Sequence, residues 1–316
     1  MITTILNPDS QLILIGFIYS AISFCVFPIY AVVIYALHTR DELKSNTSYK
    51  LINIINYCDL GQAICHFFSG MFLIFPIFVE RFEVFVRIIG CTANSLWLAM
   101  FPVMSILSIS RILIAYKNTI SKSWNKYLKS LLFLGFSYIF TIWLIGCITQ
   151  NFKMDGPSWS YDMDKIGAET LSKLELVLCF PTLVLSFTSY IIVIFSIWSR
   201  KRLFQQQQSK SIKTEVSILA QATILTLYMG GLIALWHNAE YLFELTTIKV
   251  AILNGLWIFF SFLNPVLMIV INSGARRQIK GAIFGDDNQT TSIKNSKIAQ
   301  NSRNFSAPKL QTITIT

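Results

Sequence analysis

Long uncharged stretches dominate the pattern of hydrophobic and polar positions along the chain. Six of them exceed the roughly 18 residues that a membrane-spanning helix needs; they cover residues 12–37, 88–110, 130–152, 176–199, 216–239 and 250–275. A seventh stretch, 51–79, is interrupted only by Asp59. The pattern predicts an all-α membrane protein, a bundle of seven transmembrane helices over about residues 11–37, 51–79, 87–116, 128–151, 173–199, 214–237 and 249–273.

Composition and the flanking segments complete this organisation. Hydrophobic residues make up 54% of the 316 residues and charged ones 13%, against about 25% in soluble domains. We therefore expect one membrane domain, 11–284, after an extracellular segment, 1–10. Apolar and basic positions alternate over 275–284 in a way that predicts a short amphipathic helix on the membrane surface. Residues 285–316 are rich in Asn, Ser, Thr and Lys, which predicts a disordered cytoplasmic tail.

The distribution of lysine and arginine predicts the orientation in the membrane. With the N-terminus outside, the inner loops and tail hold 20 of these residues and the outer loops hold six. Basic residues collect on the cytoplasmic side, so we expect the N-terminus outside and the C-terminus inside. The net charge of +10 reflects this asymmetry. Nothing in the sequence resembles a nucleic-acid-binding patch.

Polar residues within the predicted spans are candidates for function, because burying them in hydrocarbon is costly. Asp59 is the one acid deep in a span, and it is either a neutral structural acid or part of a network with Asn264, Pro265 and Asn272. Pro265 interrupts the helical hydrogen bonds and frees backbone groups that need polar partners. Arg111 closes the third span, where we expect its guanidinium to reach water by snorkelling.

Other residues give weaker signals. A candidate ligand pocket comprises His66, Trp97, Gln150, Trp236 and Trp257, although packing and interface anchoring explain tryptophans equally well. The six cysteines fit small buried apolar residues, while Cys91 and Cys147, near the outer ends of their spans, are the candidate pair for a disulfide. The outer loop 150–173 is acidic, which disfavours anionic ligands. No catalytic motif, metal site or cofactor site is present, so we do not expect an enzyme.

Four stretches carry a resemblance to a known family. They are "YKLINIINYCD" at 49–59, "LWLAMFPVMSILSISR" at 96–111, "ILAQATI" at 218–224 and "NPVLMIVINSGARRQI" at 264–279. Their order and spacing resemble the class T (Srt) nematode serpentine chemoreceptors, within the rhodopsin-like G protein-coupled receptor superfamily. The likeness covers most of residues 12–284.

The resemblance implies a chemosensory receptor of the plasma membrane, including that of the sensory-neuron cilium. It would bind an extracellular small molecule, activate a heterotrimeric G protein and, through phosphorylation of the tail, recruit an arrestin-like protein. The residues that it assigns to G-protein coupling and activation are Ser110, Arg111, Tyr116, Lys117, Arg200 and Lys213. Ser110 and Met268 depart from the rhodopsin-like pattern, so the usual ion pair beside Arg111 and the usual tyrosine switch are not expected.

A second interpretation is a seven-span ligand-gated channel or transporter. No internal repeat relates the first spans to the last, which disfavours duplicated transporter folds. Insect odorant receptors have the reverse orientation, which the charge count disfavours.

Overall fold

The computed structural model describes residues 9–44, 46–117, 122–203 and 209–285. Within these ranges the side chains of Glu42, Ile197 and residues 114–117, 122–125, 200–203 and 209–215 are not described. The described chain forms ten helices and one hairpin: α1 Ser10–Thr39, α2 Asp41–Lys44, α3 Thr47–Ile74, α4 Ile77–Arg81, α5 Glu83–Lys117, α6 Lys122–Thr149, β1 Phe152–Asp155, β2 Ser158–Tyr161, α7 Ala168–Leu203, α8 Ser209–Leu242, α9 Thr247–Ile271 and α10 Ser273–Phe284.

Six helices in the described part of the chain are long and apolar enough to cross a membrane: α1, α5, α6, α7, α8 and α9. The protein is therefore a multi-pass membrane protein. Large apolar side chains on their surfaces, such as Phe133 at 72% and Phe180 at 71% exposure, suit a lipid environment.

Helix α3 packs against α1, α5 and α9. It is 28 residues long, but one face carries five buried polar residues at helical spacing: Asn56, Asp59, Gln62, His66 and Ser69. Its contact with α1 is close because a Cβ on Gly70 would lie only 2.5 Å from the Gly16 carbonyl oxygen. The two glycines thus allow the helix backbones to touch.

The structure differs from the sequence prediction at the end of the second span. We predicted a helix up to residue 79, but α3 ends at Ile74 and Pro76 starts the separate short helix α4. Proline lacks a backbone N–H and clashes with the preceding turn, which favours a break at Pro76, although α1, α5, α7 and α9 each continue past an internal proline.

The loop between α6 and α7 forms an antiparallel hairpin, in which Phe152 pairs with Tyr161 and Asp155 pairs with Ser158. The all-α prediction missed this hairpin. Gly156, with a φ of 54°, lies in its turn, where a positive φ favours glycine. We call this end of the bundle the hairpin end and the opposite one, where α10 follows α9, the α10 end.

Candidate functional site

The hairpin is anchored in the bundle by Trp159, which is 1% exposed. Its indole Nε1 donates a hydrogen bond of 2.8 Å to Ser69 Oγ of α3. Its ring stacks on Phe152 with a centroid distance of 6.1 Å. A Cβ on Gly90 of α5 would lie 2.5 Å from the indole, so the glycine provides the space for the ring. The hairpin is therefore packed against α3 and α5 and covers this end of the bundle. We call the hairpin, β1 and β2 with their turn, the roof.

An ion-pair cluster holds the flank of this roof. Arg87 of α5 contacts Glu83 and Asp162, each at 2.8 Å, and donates to the Gln150 carbonyl oxygen at 2.6 Å. Lys153 contacts the other oxygen of Asp162 at 3.1 Å. Burial alone would raise the pKa of Asp162, but the hydrogen bonds from Arg87 and Lys153 outweigh it and hold the pKa below its ordinary value. Asp162 is thus charged and fixed at neutral pH.

A cavity of about 650 Å³ lies beneath the hairpin and is lined by residues of α5, α7, α8, α9 and the hairpin itself. Three of the five predicted pocket residues, Trp97, Trp236 and Trp257, line it. Their rings form a row, with centroids 5.9 Å apart for Trp97 and Trp257 and 6.0 Å apart for Trp236 and Trp257. The sequence therefore identified one aromatic wall of the cavity.

The other two predicted pocket residues lie outside the cavity wall. His66 is fully buried behind Trp257, with ring centroids 4.8 Å apart, and neither of its nitrogens has a hydrogen-bond partner among the described residues. Gln150 directly follows α6 and accepts a hydrogen bond from Arg87 through its carbonyl oxygen. His66 therefore supports the aromatic wall from behind, whereas Gln150 belongs to the ion-pair cluster on the flank of the hairpin.

Glu175 lines the cavity, and the sequence reasoning missed it. It accepts a hydrogen bond of 2.8 Å from the Tyr161 hydroxyl, which accepts one of 2.9 Å from Asn94 Nδ2. The Trp97 side chain lies close to Glu175. The available signal is an acid inside the predicted span 173–199, immediately before the uncharged stretch that starts at residue 176.

The predicted polar network between α3 and α9 brings Asp59 and Asn264 together. Asp59 is fully buried and faces the Tyr30 hydroxyl and the Asn264 amide, but both of these groups donate their hydrogen bonds to other acceptors. Tyr30 donates to the Ser261 carbonyl oxygen at 2.7 Å, and Asn264 Nδ2 donates to Asn56 Oδ1 at 2.8 Å. Gln221 of α8 donates to Asn264 Oδ1 at 2.7 Å, so the network joins the four helices α1, α3, α8 and α9.

Pro265 and Asn272, the other two residues predicted for this network, have different surroundings. Pro265 is buried within α9, next to Asn264. Asn272 donates to the Tyr49 hydroxyl at 2.8 Å and accepts from the Ala275 N–H at 3.0 Å, so it caps α10 at the α10 end. It forms a separate contact that ties the start of α10 to α3.

Arg111 lies at the α10 end and is 1% exposed. The expectation that its guanidinium snorkels to water is wrong in this structure, because neighbouring helices cover it. Ser110 beside it donates to the Leu107 carbonyl oxygen at 2.7 Å, within its own helix. Tyr190 of α7 lies close to the guanidinium. The side chains of Tyr116, Lys117, Arg200 and Lys213 lie outside the described residues, as does the whole tail 286–316.

The candidate disulfide pair lies between α5 and α6. Cys91 and Cys147 are free thiols in the structure, and their side chains lie close to each other. The disulfide stays a prediction.

The comparisons with known proteins concern most of the chain. A family model for the serpentine type 7TM GPCR chemoreceptor Srt matches residues 5–292. The chain belongs to this family. A search of curated proteins found no match to this Srt receptor.

Membership confirms the resemblance that the four sequence stretches carried, and it gives the receptor its class. The Srt family consists of seven-transmembrane chemoreceptors, which is a receptor class and not an enzyme class. The six membrane-capable helices agree with a receptor of this kind. The channel or transporter interpretation is not favoured by the family match.

Proposed function

We propose that this Srt receptor crosses the plasma membrane seven times and couples an extracellular small molecule to a heterotrimeric G protein. Helix α3, the second long helix along the chain, would raise the number of spans from six to seven. It is long enough to cross the membrane, and it packs against α1, α5 and α9. The hairpin end would face outside and the α10 end inside. The count of 20 basic residues against six supports this orientation, because the hairpin belongs to the poorer set.

The observation that carries the proposal is the cavity under the hairpin. Its volume of about 650 Å³ lies in the range of sites that enclose small molecules, and such sites combine apolar and aromatic walls with a few fixed polar groups. Trp97, Trp236 and Trp257 supply the aromatic part, and Glu175 and Asn94 supply fixed polar atoms. In the proposed orientation this cavity is accessible from outside the cell.

Activation would take place at the opposite end. A ligand shifts the receptor only if it binds the active and resting conformations with different affinity. Because Arg111 is covered by neighbouring helices, a G protein would reach it only after those helices separate. Ser110, Tyr116, Lys117, Arg200 and Lys213 would border the opening. The resting contacts of Arg111 would therefore oppose activation until ligand binds.

Arg111→Ala tests this assignment in cells that carry a signalling reporter. We expect the ligand-evoked signal to be lost while the receptor still reaches the cell surface, as measured with an extracellular tag. Arg111→Gln, which keeps more of the side-chain volume, should lose the ligand-evoked signal in the same way as Arg111→Ala. Arg81→Ala is the matched control, since Arg81 is exposed at the hairpin end. Normal signalling by the Arg111 variants would overturn the assignment.

Two simpler measurements test the remaining parts of the proposal. A C-terminal tag should be inaccessible on intact cells, and its detection from outside would refute the orientation. Deleting residues 286–316 should slow desensitisation if phosphorylated Thr290, Thr291, Ser292, Ser302 and Ser306 recruit an arrestin-like protein. An unchanged time course would remove that partner from the scheme.

A further inference from the structure

The charges around the cavity have one sign. Three acids line it, Asp155 of the hairpin turn, Glu175 of α7 and Glu240 of α8, and no lysine or arginine of the described chain does. The nearby cations Arg87 and Lys153 are both engaged by Asp162 on the flank of the hairpin. A bound anion would therefore face repulsion, and a bound cation would complete the charge balance.

Glu175 is the acid with a fixed position. The Tyr161 hydroxyl donates a hydrogen bond to its carboxyl group, Trp97 lies beside it, and Asn94 fixes the Tyr161 hydroxyl in turn. All these partners are neutral, and no ion pair of Glu175 exists among the described residues. The carboxyl group is thus held by neutral partners at the cavity wall, where a cationic ligand group would supply the missing ion-pair partner.

The aromatic wall suits the same kind of ligand. Trp97, Trp236 and Trp257 follow one another edge to face, so that their π faces point in different directions. Tyr161 adds a fourth ring next to Glu175. A tryptophan face is the best aromatic partner of an organic cation, and rings placed around an acid form the usual surroundings of an ammonium group.

We propose that the receptor recognises an organic cation, in which an ammonium nitrogen pairs with Glu175 and an apolar body packs against the tryptophans. This inference rests on the proposed function, because it takes the cavity as the ligand site. It excludes carboxylates and other anions as agonists, and it makes Glu175 the residue that determines specificity. Asp155 and Glu240 would attract the cation electrostatically at the mouth of the site.

The test uses a library of matched triplets in which one apolar body carries an ammonium, a hydroxyl or a carboxylate group, for example 2-phenylethylamine, 2-phenylethanol and 3-phenylpropanoate. Binding is measured as a thermal shift of the purified full chain, and signalling is measured in reporter cells. We expect the binders to be ammonium members. Preference for neutral or anionic members, or no ammonium member that binds at about 1 mM, would overturn the inference.

Glu175→Gln separates a charge role from a structural one. Glutamine still accepts the Tyr161 hydrogen bond, so the hairpin should stay docked, while affinity for the ammonium binders should fall about tenfold to hundredfold. Glu175→Asp keeps the charge and should retain more affinity than Glu175→Gln. Glu169→Gln is the control on the same helix, since Glu169 pairs with Lys173 on the exposed surface. Unchanged affinity of Glu175→Gln would refute the pairing.

The two readouts distinguish failure of this inference from failure of the proposed function. Binding of ammonium compounds that depends on Glu175, but without a signal, would support the cation site and count against G-protein coupling. A signal from neutral compounds that is insensitive to Glu175→Gln would support the receptor function and refute the cation site. If Glu175→Gln fails to reach the surface, the charge preference of the unaltered chain decides the question.

Discussion

The contact between Gly90 and Trp159 makes a quantitative prediction about the roof of the cavity. In Gly90→Ala the new methyl group would lie 2.5 Å from the indole, so the ring or the helix must move. Overpacking of this kind costs about 1–3 kcal/mol. The change also replaces a helical glycine by alanine, which favours the helix by up to about 1 kcal/mol and partly conceals the clash.

Gly255→Ala isolates the clash from this gain in helix propensity. Gly255 lies inside α9, and a Cβ there would meet no atom within 4 Å. We expect Gly90→Ala to be about 1–3 kcal/mol less stable than Gly255→Ala. The assay is thermal unfolding of the purified chain. Unfolding is detected by a thiol dye that reacts with the buried cysteines Cys58, Cys65 and Cys179 once they become exposed.

A double-mutant cycle identifies the partner in the clash. Trp159→Phe loses the hydrogen bond to Ser69, which costs about 1 kcal/mol, and its smaller ring leaves room beside residue 90. The double variant should therefore lose at least about 0.5 kcal/mol less than the sum of the single variants. Additive losses, or a Gly90→Ala variant as stable as Gly255→Ala, would refute the proposed packing of the hairpin on α5.

Three further predictions concern contacts elsewhere in the bundle. Asp162→Asn should cost about 1–3 kcal/mol at neutral pH by weakening the Arg87 contact. The pKa of Asp162 in the folded chain is depressed, so its contribution to the free energy of unfolding is present above the ordinary aspartate pKa of about 4 and is lost as the pH falls through the folded pKa. Melting curves recorded at several pH values should show this loss in the unaltered chain and not in Asp162→Asn. A mild oxidant should join Cys91 and Cys147, a cross-link detected by mass spectrometry and absent if the thiols lie apart. Asn272→Ala should destabilise α10 by about 0.5–2 kcal/mol, measured by hydrogen exchange, and unchanged exchange would contradict its capping role.

The positions of the long helices could be predicted from the sequence because hydrocarbon imposes a strict local condition. Every backbone polar group in a lipid bilayer needs a partner within the segment, so a spanning helix appears as a continuous apolar run. The prediction for the last span, 249–273, thus differs from α9, Thr247–Ile271, by only two residues at each end. The break after α3 was missed because the prediction followed the uncharged stretch to residue 79, and this stretch includes Pro76.

Apart from the pairing of Asp59 with Asn264, the roof and the buried polar contacts could not be predicted in the same way because they join distant parts of the chain. Trp159 bonds to Ser69, 90 positions earlier, and Trp257 donates to Gln62, 195 positions earlier. A sequence pattern shows which face of a helix is buried but not which neighbour covers it. For the same reason, the apolar run around Arg111 placed it near a membrane boundary without revealing that other helices cover it.

Helix α3 shows how a low hydropathy and a membrane-spanning position can coexist. Its five buried polar residues from Asn56 to Ser69 recur every three or four positions, so they lie on the face that α1, α5 and α9 cover. Its exposed large side chains include Tyr57 and Ile64, which are seven positions apart on the opposite face. An average over the helix mixes these two faces, whereas lipid would contact only the apolar one. The arrangement supports α3 as the seventh span that the family requires, with its polar face inside the bundle, where Gln62 holds Trp257 at the cavity wall.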